Sequence, residues 1–314
     1  MGSQKRVLRT SEIRPPRDSR SNARAAVSLL ALTVLVLAGC AGPRQPEPEP
    51  ELGARIEQML DAGPGRESSA YRPLGSTEND QLAKAVLANL AGSDDHPLPD
   101  RAQVLTAVDA GDRPIRVVAE DLDGGELQGL GLYAVRDGSG VPPALVVEVP
   151  HPRADRWTEQ LGPELFTALD AEALFVAGAH RTAGHDAADV AHEKGSTFAA
   201  VDRAVVGRGT VVLQVHGFDD SSHKGSAEVV LSSAEATPSP LVRELGEALQ
   251  SAGIDTCVYD GEQCPSLAGT TNVQAAHARD VGATFIHLEL APDLRKNGPG
   301  REQLVKILTD VLTR

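Results

Sequence analysis

Cysteine is scarce in this chain, with three residues among 314. Two of them, Cys257 and Cys264, lie close together, with six residues between them, and neither a CxxC pair nor a histidine lies near them. This argues against a zinc site built on cysteine, and in an oxidising compartment the pair is expected to form a short-loop disulfide. The third, Cys40, follows an apolar segment near the start of the chain.

Near the start of the chain, the sequence lacks an apolar run long enough to span a membrane comfortably. The run from Ala25 to Ala38 is short and follows a stretch rich in Arg and Lys, so we interpret residues 1–40 as a processing segment. It ends in Leu-Ala-Gly-Cys40, which resembles the lipobox of bacterial lipoproteins. The resemblance implies a signal peptide over residues 1–39, cleavage before Cys40 and acylation of its thiol. We therefore expect export and lipid anchoring on the extracytoplasmic face of the cell membrane. A plain signal peptide or a short membrane anchor is the alternative.

An excess of positive charge is also absent. The formal net charge is -14, and residues 1–40 contribute +5 of it, which leaves -19 on the rest of the chain. A surface this acidic argues against nucleic acid as a partner and is typical of a soluble exported protein. No G-x-S-x-G motif occurs either. This argues against a serine hydrolase of the α/β-hydrolase type, although the V-H-G-F segment superficially resembles its His-Gly segment.

The remaining sequence divides into three segments. Residues 40–51 are acidic and rich in proline, and we interpret them as an extended stalk. Residues 52–112 contain patterns of short amphipathic helices, the last of them at 101–111. From residue 113 to 314, strand-like runs alternate with helical runs, and several strands are continuously apolar. This predicts an α/β domain with a single mixed, mainly parallel sheet and helices on both of its faces, preceded by the small helical segment.

Polar residues at strand ends are the candidates for chemistry, because ligands of open α/β sheets bind beyond the carboxyl ends of the strands. One strand ends at His151, with Asp155 four residues later, and another delivers His216. Two histidines and a carboxylate are the ligand supply of a catalytic zinc, which keeps a fourth position for water. Glu289 lies inside a further apolar strand, where a carboxylate is costly to bury without a charged partner or a task. Asp155 could instead cap the helix that follows.

The order of these residues resembles the zinc carboxypeptidase-like superfamily, which includes N-formylglutamate amidohydrolases, and is closest to the phage-type poly-gamma-glutamate hydrolases. The similarity extends over about residues 144–313 and includes Asp155-x-x-Thr158, the helix from Asn272 to Arg279, and the L-E-L-A-P-D-L-R segment. Two positions depart from the pattern. Ala291 replaces a serine, and Asp155 replaces a glutamate one residue nearer the histidine, so Asp155 or Glu159 could be the carboxylate ligand.

The resemblance implies a zinc-dependent hydrolase of amide bonds, acting on gamma-glutamyl, N-acyl amino acid or peptidoglycan-type substrates. It implies that Zn²⁺ is held by His151, Asp155 and His216, and that Glu289 is the general base. Candidates to bind a substrate carboxylate are Arg279 and Arg295. The alternative is a catalytically inactive binding or scaffold lipoprotein of the cell envelope with the same fold.

A loop between the two proposed ligand strands carries further candidates. Arg181 and His192 are expected to contact substrate or to orient a metal ligand. A second metal bound by Asp189 and His192 is a further hypothesis, and Asp189 as the N-cap of a following helix is the plainer one.

Overall fold

The computed structural model describes residues 51–93, 95–219, 223 and 226–314. The expected signal peptide, Cys40 and all of the stalk except Glu51 lie outside the described residues. Within the described ranges, no helix has the length and apolar character needed to cross a bilayer.

Within this part of the chain, nine strands form one sheet in the order β1-β2-β3-β5-β4-β6-β9-β7-β8. Their bounds are β1 Ala102–Val108, β2 Pro114–Glu120, β3 Leu132–Val135, β4 Leu145–Val149, β5 Ala173–Val176, β6 Val211–Gly217, β7 Val229–Ser232, β8 Thr256–Val258 and β9 Thr284–Leu290. The central strands β5, β4, β6 and β9 are parallel, as is the pair β7-β8. Strands β1, β2, β3 and β5 pair antiparallel, and so do β7 and β9. The predicted mixed sheet is therefore present, and its parallel part lies at its centre.

Helices cover both faces of this sheet. They are α1 Leu52–Ala62, α2 Ser76–Leu90, α3 Thr158–Ala168, α4 Thr197–Val205, α5 Pro240–Ser251, α6 Val273–Val281, α7 Pro292–Arg295 and α8 Pro299–Leu312. Apolar residues of α1, α3, α5 and α8 form one large core with the sheet, whereas those of α2, α4 and α6 form the core on the opposite face. Because helices cover both faces of the sheet, side chains on both sides of its strands are buried, which explains why several strands are continuously apolar.

The prediction of a helix at residues 101–111 is wrong, because this segment forms β1. It pairs with all of β2, from Ala102 opposite Glu120 to Val108 opposite Pro114. The Asp109 side chain closes the turn between them by accepting from the backbone N–H groups of Gly111 and Arg113. The apolar spacing in this segment suits a helix as well as a strand, and the long pairing with β2 decides between them.

Candidate metal centre

The three proposed metal ligands meet at the carboxyl ends of β4 and β6. The Oδ2 atom of Asp155 lies 3.5 Å from Nδ1 of His151 and 3.4 Å from Nδ1 of His216. All three side chains are buried, and their ligand atoms lie within 4.8 Å of one another. The structure thus brings together two imidazole nitrogens and one carboxylate oxygen from residues 65 positions apart at most.

The turn after β4 directs Asp155 into the site. The backbone N–H of Asp155 donates to the carbonyl of His151, and its own carbonyl accepts from the Thr158 hydroxyl at 2.7 Å. Helix α3 begins at Thr158 without a side-chain cap, after Trp157 in a left-handed conformation. The alternative in which the Asp155 carboxylate caps this helix is therefore wrong. That carboxylate instead accepts from the backbone N–H of Gly217 at 3.2 Å.

Glu159 does not join the ligands. It lines grooves outside the cavity, together with Glu57. It is the second residue of α3, whereas Asp155 precedes the helix and lies beside both histidines. The structure thus favours Asp155 over Glu159 as the carboxylate beside His151 and His216.

The second ring nitrogen of each histidine already has a partner. Nε2 of His151 lies 2.9 Å from Oδ1 of Asp189, and Nε2 of His216 lies 2.7 Å from Oε1 of Gln214. Nδ1 of His151 is buried and has no hydrogen-bond partner. Metal-binding histidines usually ligate through one nitrogen while the other donates to an oxygen acceptor. The residues present therefore fit a divalent metal bound through both Nδ1 atoms and Asp155.

Burial and charge shift the pKa values of these groups. Burial alone would raise the pKa of Asp155, but its contacts with His151 and His216 outweigh burial and hold that pKa well below its usual range. Burial lowers the pKa of His216. For His151, burial also lowers the pKa, but the carboxylates of Asp155 and Asp189 overcome it, so the net shift is upward. The centre therefore holds an ionised carboxylate between two imidazoles.

Glu289 lies on β9 next to His216, its register partner on β6. It lines the same cavity of about 430 Å³ as His151 and Asp155. Burial, and then the charge of Asp155, raise the pKa of Glu289 to about 8. Its Oε2 atom is buried without a hydrogen-bond partner. A carboxyl group is thus available beside the proposed metal ligands.

His287 is a residue of the site that the sequence analysis missed. Its ring packs 4.5 Å from that of His216, and its Nδ1 is buried without a hydrogen-bond partner. Together with His216 and Glu289 it forms a second group with metal-ligating geometry. The alternation of side chains along a strand places His287 on the same face as Glu289, and this signal could have identified it.

Arg181 and His192 both line the cavity, and both contact Asp189. The Arg181 guanidinium donates to Oδ2 of Asp189 at 2.6 Å, and Nδ1 of His192 lies 3.0 Å from Oδ1. Asp189 therefore connects them to His151. It does not cap α4, because Ser196 does so, and its two oxygens are occupied by side chains of this loop and by His151. The hypothesis of a second metal between Asp189 and His192 finds no support among the described residues.

The structure does not place Arg279 or Arg295 in the cavity. Arg279 is half exposed and forms an ion pair with Glu235 at 3.6 Å, and it is not among the residues that line the cavity. Arg295 is buried beneath the cavity wall, where its guanidinium donates to the carbonyls of Arg156 and Phe218. Substrate binding by these arginines therefore stays a prediction, and in the structure Arg295 connects the loops that follow β4 and β6.

The predicted disulfide between Cys257 and Cys264 is present. It precedes residues 265–272, most of which line one wall of the cavity. Phe218 and Leu267 form a small buried cluster against which both cysteines pack. The disulfide therefore anchors one wall of the candidate site.

Comparison with known proteins finds similarity to solved structures alone. No family model matches the sequence, and no curated protein matches it. A bacteriophage poly-gamma-glutamate hydrolase superposes with a TM-score of 0.40 and 12% identity, over 54% of this chain and 83% of the hydrolase. A metallo-carboxypeptidase from Burkholderia cenocepacia gives a TM-score of 0.35 and 16% identity, over 78% and 69%. An aspartoacylase family protein from Mesorhizobium loti gives 0.34 and 14%, over 67% and 68%. With TM-scores below 0.5, these similarities do not bear on the chemistry of this chain.

Proposed function

We propose that this protein is a zinc-dependent hydrolase of amide bonds, with the metal held by His151, Asp155 and His216. The observation that carries the proposal is the convergence of two Nδ1 atoms on Oδ2 of Asp155, at 3.5 and 3.4 Å, with the second nitrogen of each histidine already bound to an oxygen acceptor. Three protein ligands in a cavity open to solvent are typical of a catalytic zinc site.

Bound at these ligands, Zn²⁺ would polarise the substrate carbonyl and lower the pKa of water. Glu289 would take the proton of the attacking water and pass it to the leaving nitrogen. Its buried position favours the neutral form of the carboxyl group, and a divalent cation nearby would favour the ionised form that a base requires. Arg181 and His192 keep Asp189 in place, and Asp189 orients the His151 ring.

The proposal also includes the place of action. Residues 1–40 support a lipoprotein attached through Cys40 to the extracytoplasmic face of the cell membrane, and the acidic stalk would hold the folded part away from that surface. This location favours gamma-glutamyl, N-acyl amino acid or peptidoglycan-type amides as substrates. A Cys40→Ala variant expressed in a bacterial host should lose incorporation of labelled palmitate, whereas unchanged incorporation would contradict the anchor.

The test of the metal site is the zinc content of the full-length chain, purified under metal-replete conditions. Wild type should contain close to one zinc per chain, and His151→Ala and His216→Ala should lose it. His185 is exposed in the loop between the ligand strands, so His185→Ala is the matched control and should keep its zinc. A wild-type chain without zinc would contradict the hydrolase and favour the binding or scaffold alternative.

The test of Glu289 separates binding from chemistry. Glu289→Gln should retain zinc and lose hydrolysis of whichever substrate wild type cleaves. Acylated amino acids, gamma-glutamyl peptides and muropeptides, with and without chelator, are the substrates to screen. Hydrolysis that survives in Glu289→Gln would remove this residue from the base role.

A further inference from the structure

A second row of polar side chains lies directly beneath the proposed ligands, on the same face of the sheet. Glu148 on β4 is paired with Gln214 on β6, and Gln214 is paired with His287 on β9. Glu148 and Gln214 are fully buried. Buried polar groups are costly unless they are hydrogen-bonded, so the partners of Gln214 show what this row does.

A backbone N–H of α6 determines, through Asn272, which atom of the Gln214 amide is the oxygen. Oδ1 of Asn272 accepts from the backbone N–H of Ala275 at 3.0 Å, as the N-cap of this helix. The amide nitrogen of Asn272 is then the atom that faces Gln214, and it donates to Oε1 of Gln214 at 2.5 Å. Because a backbone N–H can only donate, this contact fixes which end of the Gln214 amide faces Asn272.

A second backbone group fixes the nitrogen side of the same amide. Nε2 of Gln274 donates to the carbonyl of Val190 at 3.0 Å, so Oε1 of Gln274 faces Nε2 of Gln214. Glu148 contributes a closer acceptor, with its Oε2 at 2.8 Å from the same nitrogen. Rotating the Gln214 amide by half a turn would set oxygen against oxygen on one side and nitrogen against nitrogen on the other.

Glu148 is itself held by a chain of side chains on the α4 and α6 side. Burial, and then the charge of Asp202, raise the pKa of Glu148 well above its usual value. Oδ2 of Asp202 lies 2.7 Å from Nδ1 of His277. Oε1 of Glu148 and Oδ1 of Asp202 are both buried without a donor. A protonated Glu148 can donate to Asp202 with this oxygen while its Oε2 accepts from Gln214, which explains a carboxyl group buried in the centre of the sheet.

From these contacts we propose that Gln214 is a positioning residue that fixes the tautomer of His216. Oε1 of Gln214 can only accept, and it lies 2.7 Å from Nε2 of His216. Oδ2 of Asp155 also accepts, but it lies 3.4 Å from Nδ1 of His216, so the shorter contact places the proton of the neutral ring on Nε2 and leaves the lone pair of Nδ1 toward Asp155. Asn272 and Gln274 set the direction of the Gln214 amide. This inference rests on the proposed metal function in one respect, because the favoured tautomer is the one that ligates through Nδ1.

The experiment measures the tautomer directly, in the metal-free full-length chain labelled with ¹⁵N-histidine, at a pH where its imidazole is neutral. Two-bond ¹H–¹⁵N spectra distinguish Nε2–H from Nδ1–H, and the His216 signals are assigned by their loss in His216→Ala. Wild type should show Nε2–H. Gln214→Met, which removes the acceptor at similar length, should show a mixture of tautomers. The dissociation constant of Gln214→Met for zinc should rise by about 10 to 100-fold, the usual effect of losing the partner of a ligating histidine.

Glu148→Gln is the conservative control, because glutamine can still accept from Gln214 and donate to Asp202. It should keep the wild-type tautomer and zinc affinity. Wild type with Nδ1–H would overturn the inference even if Gln214→Met failed to fold, and so would a folded Gln214→Met with unchanged tautomer and affinity. A wild-type chain that binds no zinc but shows the expected tautomers would contradict the proposed function alone.

Discussion

Removal of Asp189 gives a quantitative test of how the site holds its metal. Oδ1 of this carboxylate lies 2.9 Å from Nε2 of His151, and Arg181 and His192 also bind the carboxylate. A hydrogen bond to a charged group contributes about 1.5 to 3 kcal/mol net. If most of this energy serves to orient His151 for ligation, Asp189→Ala should weaken zinc binding by about 10 to 100-fold, equivalent to about 1.4 to 2.8 kcal/mol.

Two variants of the same loop separate orientation from charge. Asp189→Asn should lie between wild type and Asp189→Ala, because an amide can accept from His151 or from Arg181 but not from both. Asp186 is exposed three residues earlier, so Asp186→Ala removes the same charge without touching His151 and should bind zinc like wild type.

The assay is competition with a chromophoric chelator, with thermal melting of each metal-free variant as the control for folding. A folded Asp189→Ala chain with wild-type affinity would refute the reasoning, because His151 would then be oriented without its carboxylate partner. Equal losses in Asp189→Ala and Asp186→Ala would indicate that the loop acts through its charge alone.

Three further predictions concern other parts of the molecule. Asp155→Asn should lose most of its zinc affinity in the same competition assay, whereas Glu159→Gln should keep it, and the reverse result would restore Glu159 as the ligand. Burial would raise the pKa of Asp109, but bonds from the Arg113 backbone and from Arg113 and Arg136 side chains outweigh it and lower that pKa. The stabilising effect of the ionised Asp109 is therefore complete above about pH 4 and is lost as the pH falls through the folded-state pKa. The free energies of unfolding of wild type and Asp109→Asn, measured in urea, should thus differ less at lower pH. A difference that does not change with pH would contradict this. Replacing Cys257 and Cys264 with serine should lower the free energy of unfolding by about 2 to 3 kcal/mol, as expected for a short closed loop, and unchanged urea unfolding under non-reducing conditions would contradict it.

The sequence predicts the parts of this site that depend on local pattern. His151, His216 and Glu289 each lie at the end of an apolar strand or within one, Asp155 follows His151 by four residues, and the carboxyl ends of parallel strands meet at one edge. The central strands and most helices follow from the same periodicities. The strand β1 was missed because its apolar spacing suits both a helix and a strand, and only its pairing with β2 distinguishes them.

The residues that support His216 could not be predicted in this way. Gln214 and Glu148 contact each other because β4 and β6 are neighbours in register, and the order of strands in a sheet is not written in any one segment. Asn272 was noticed at a helix start, but its contact with Gln214 depends on how α6 lies on the sheet. The same limit applies to Arg279, which does not line the cavity, since nothing in the helical pattern specifies which face of α6 meets it.

The rows of side chains on the central strands explain why the chemistry lies at this edge. On the face covered by α4 and α6, the first row is apolar, with Val146, Val212 and Phe285 in register across β4, β6 and β9. The next row contains Glu148, Gln214 and His287, and the last contains His216 and Glu289, with His151 just beyond the end of β4. Polarity thus increases toward the carboxyl ends, and each row supports the next.

The apolar row anchors the helices, and α4 and α6 supply the hydrogen bonds that satisfy the buried polar row. That polar row in turn orients the ligand His216. Because an unsatisfied buried polar group costs more than the net gain from a satisfied one, this arrangement is better explained by the orientation of His216 than by stability.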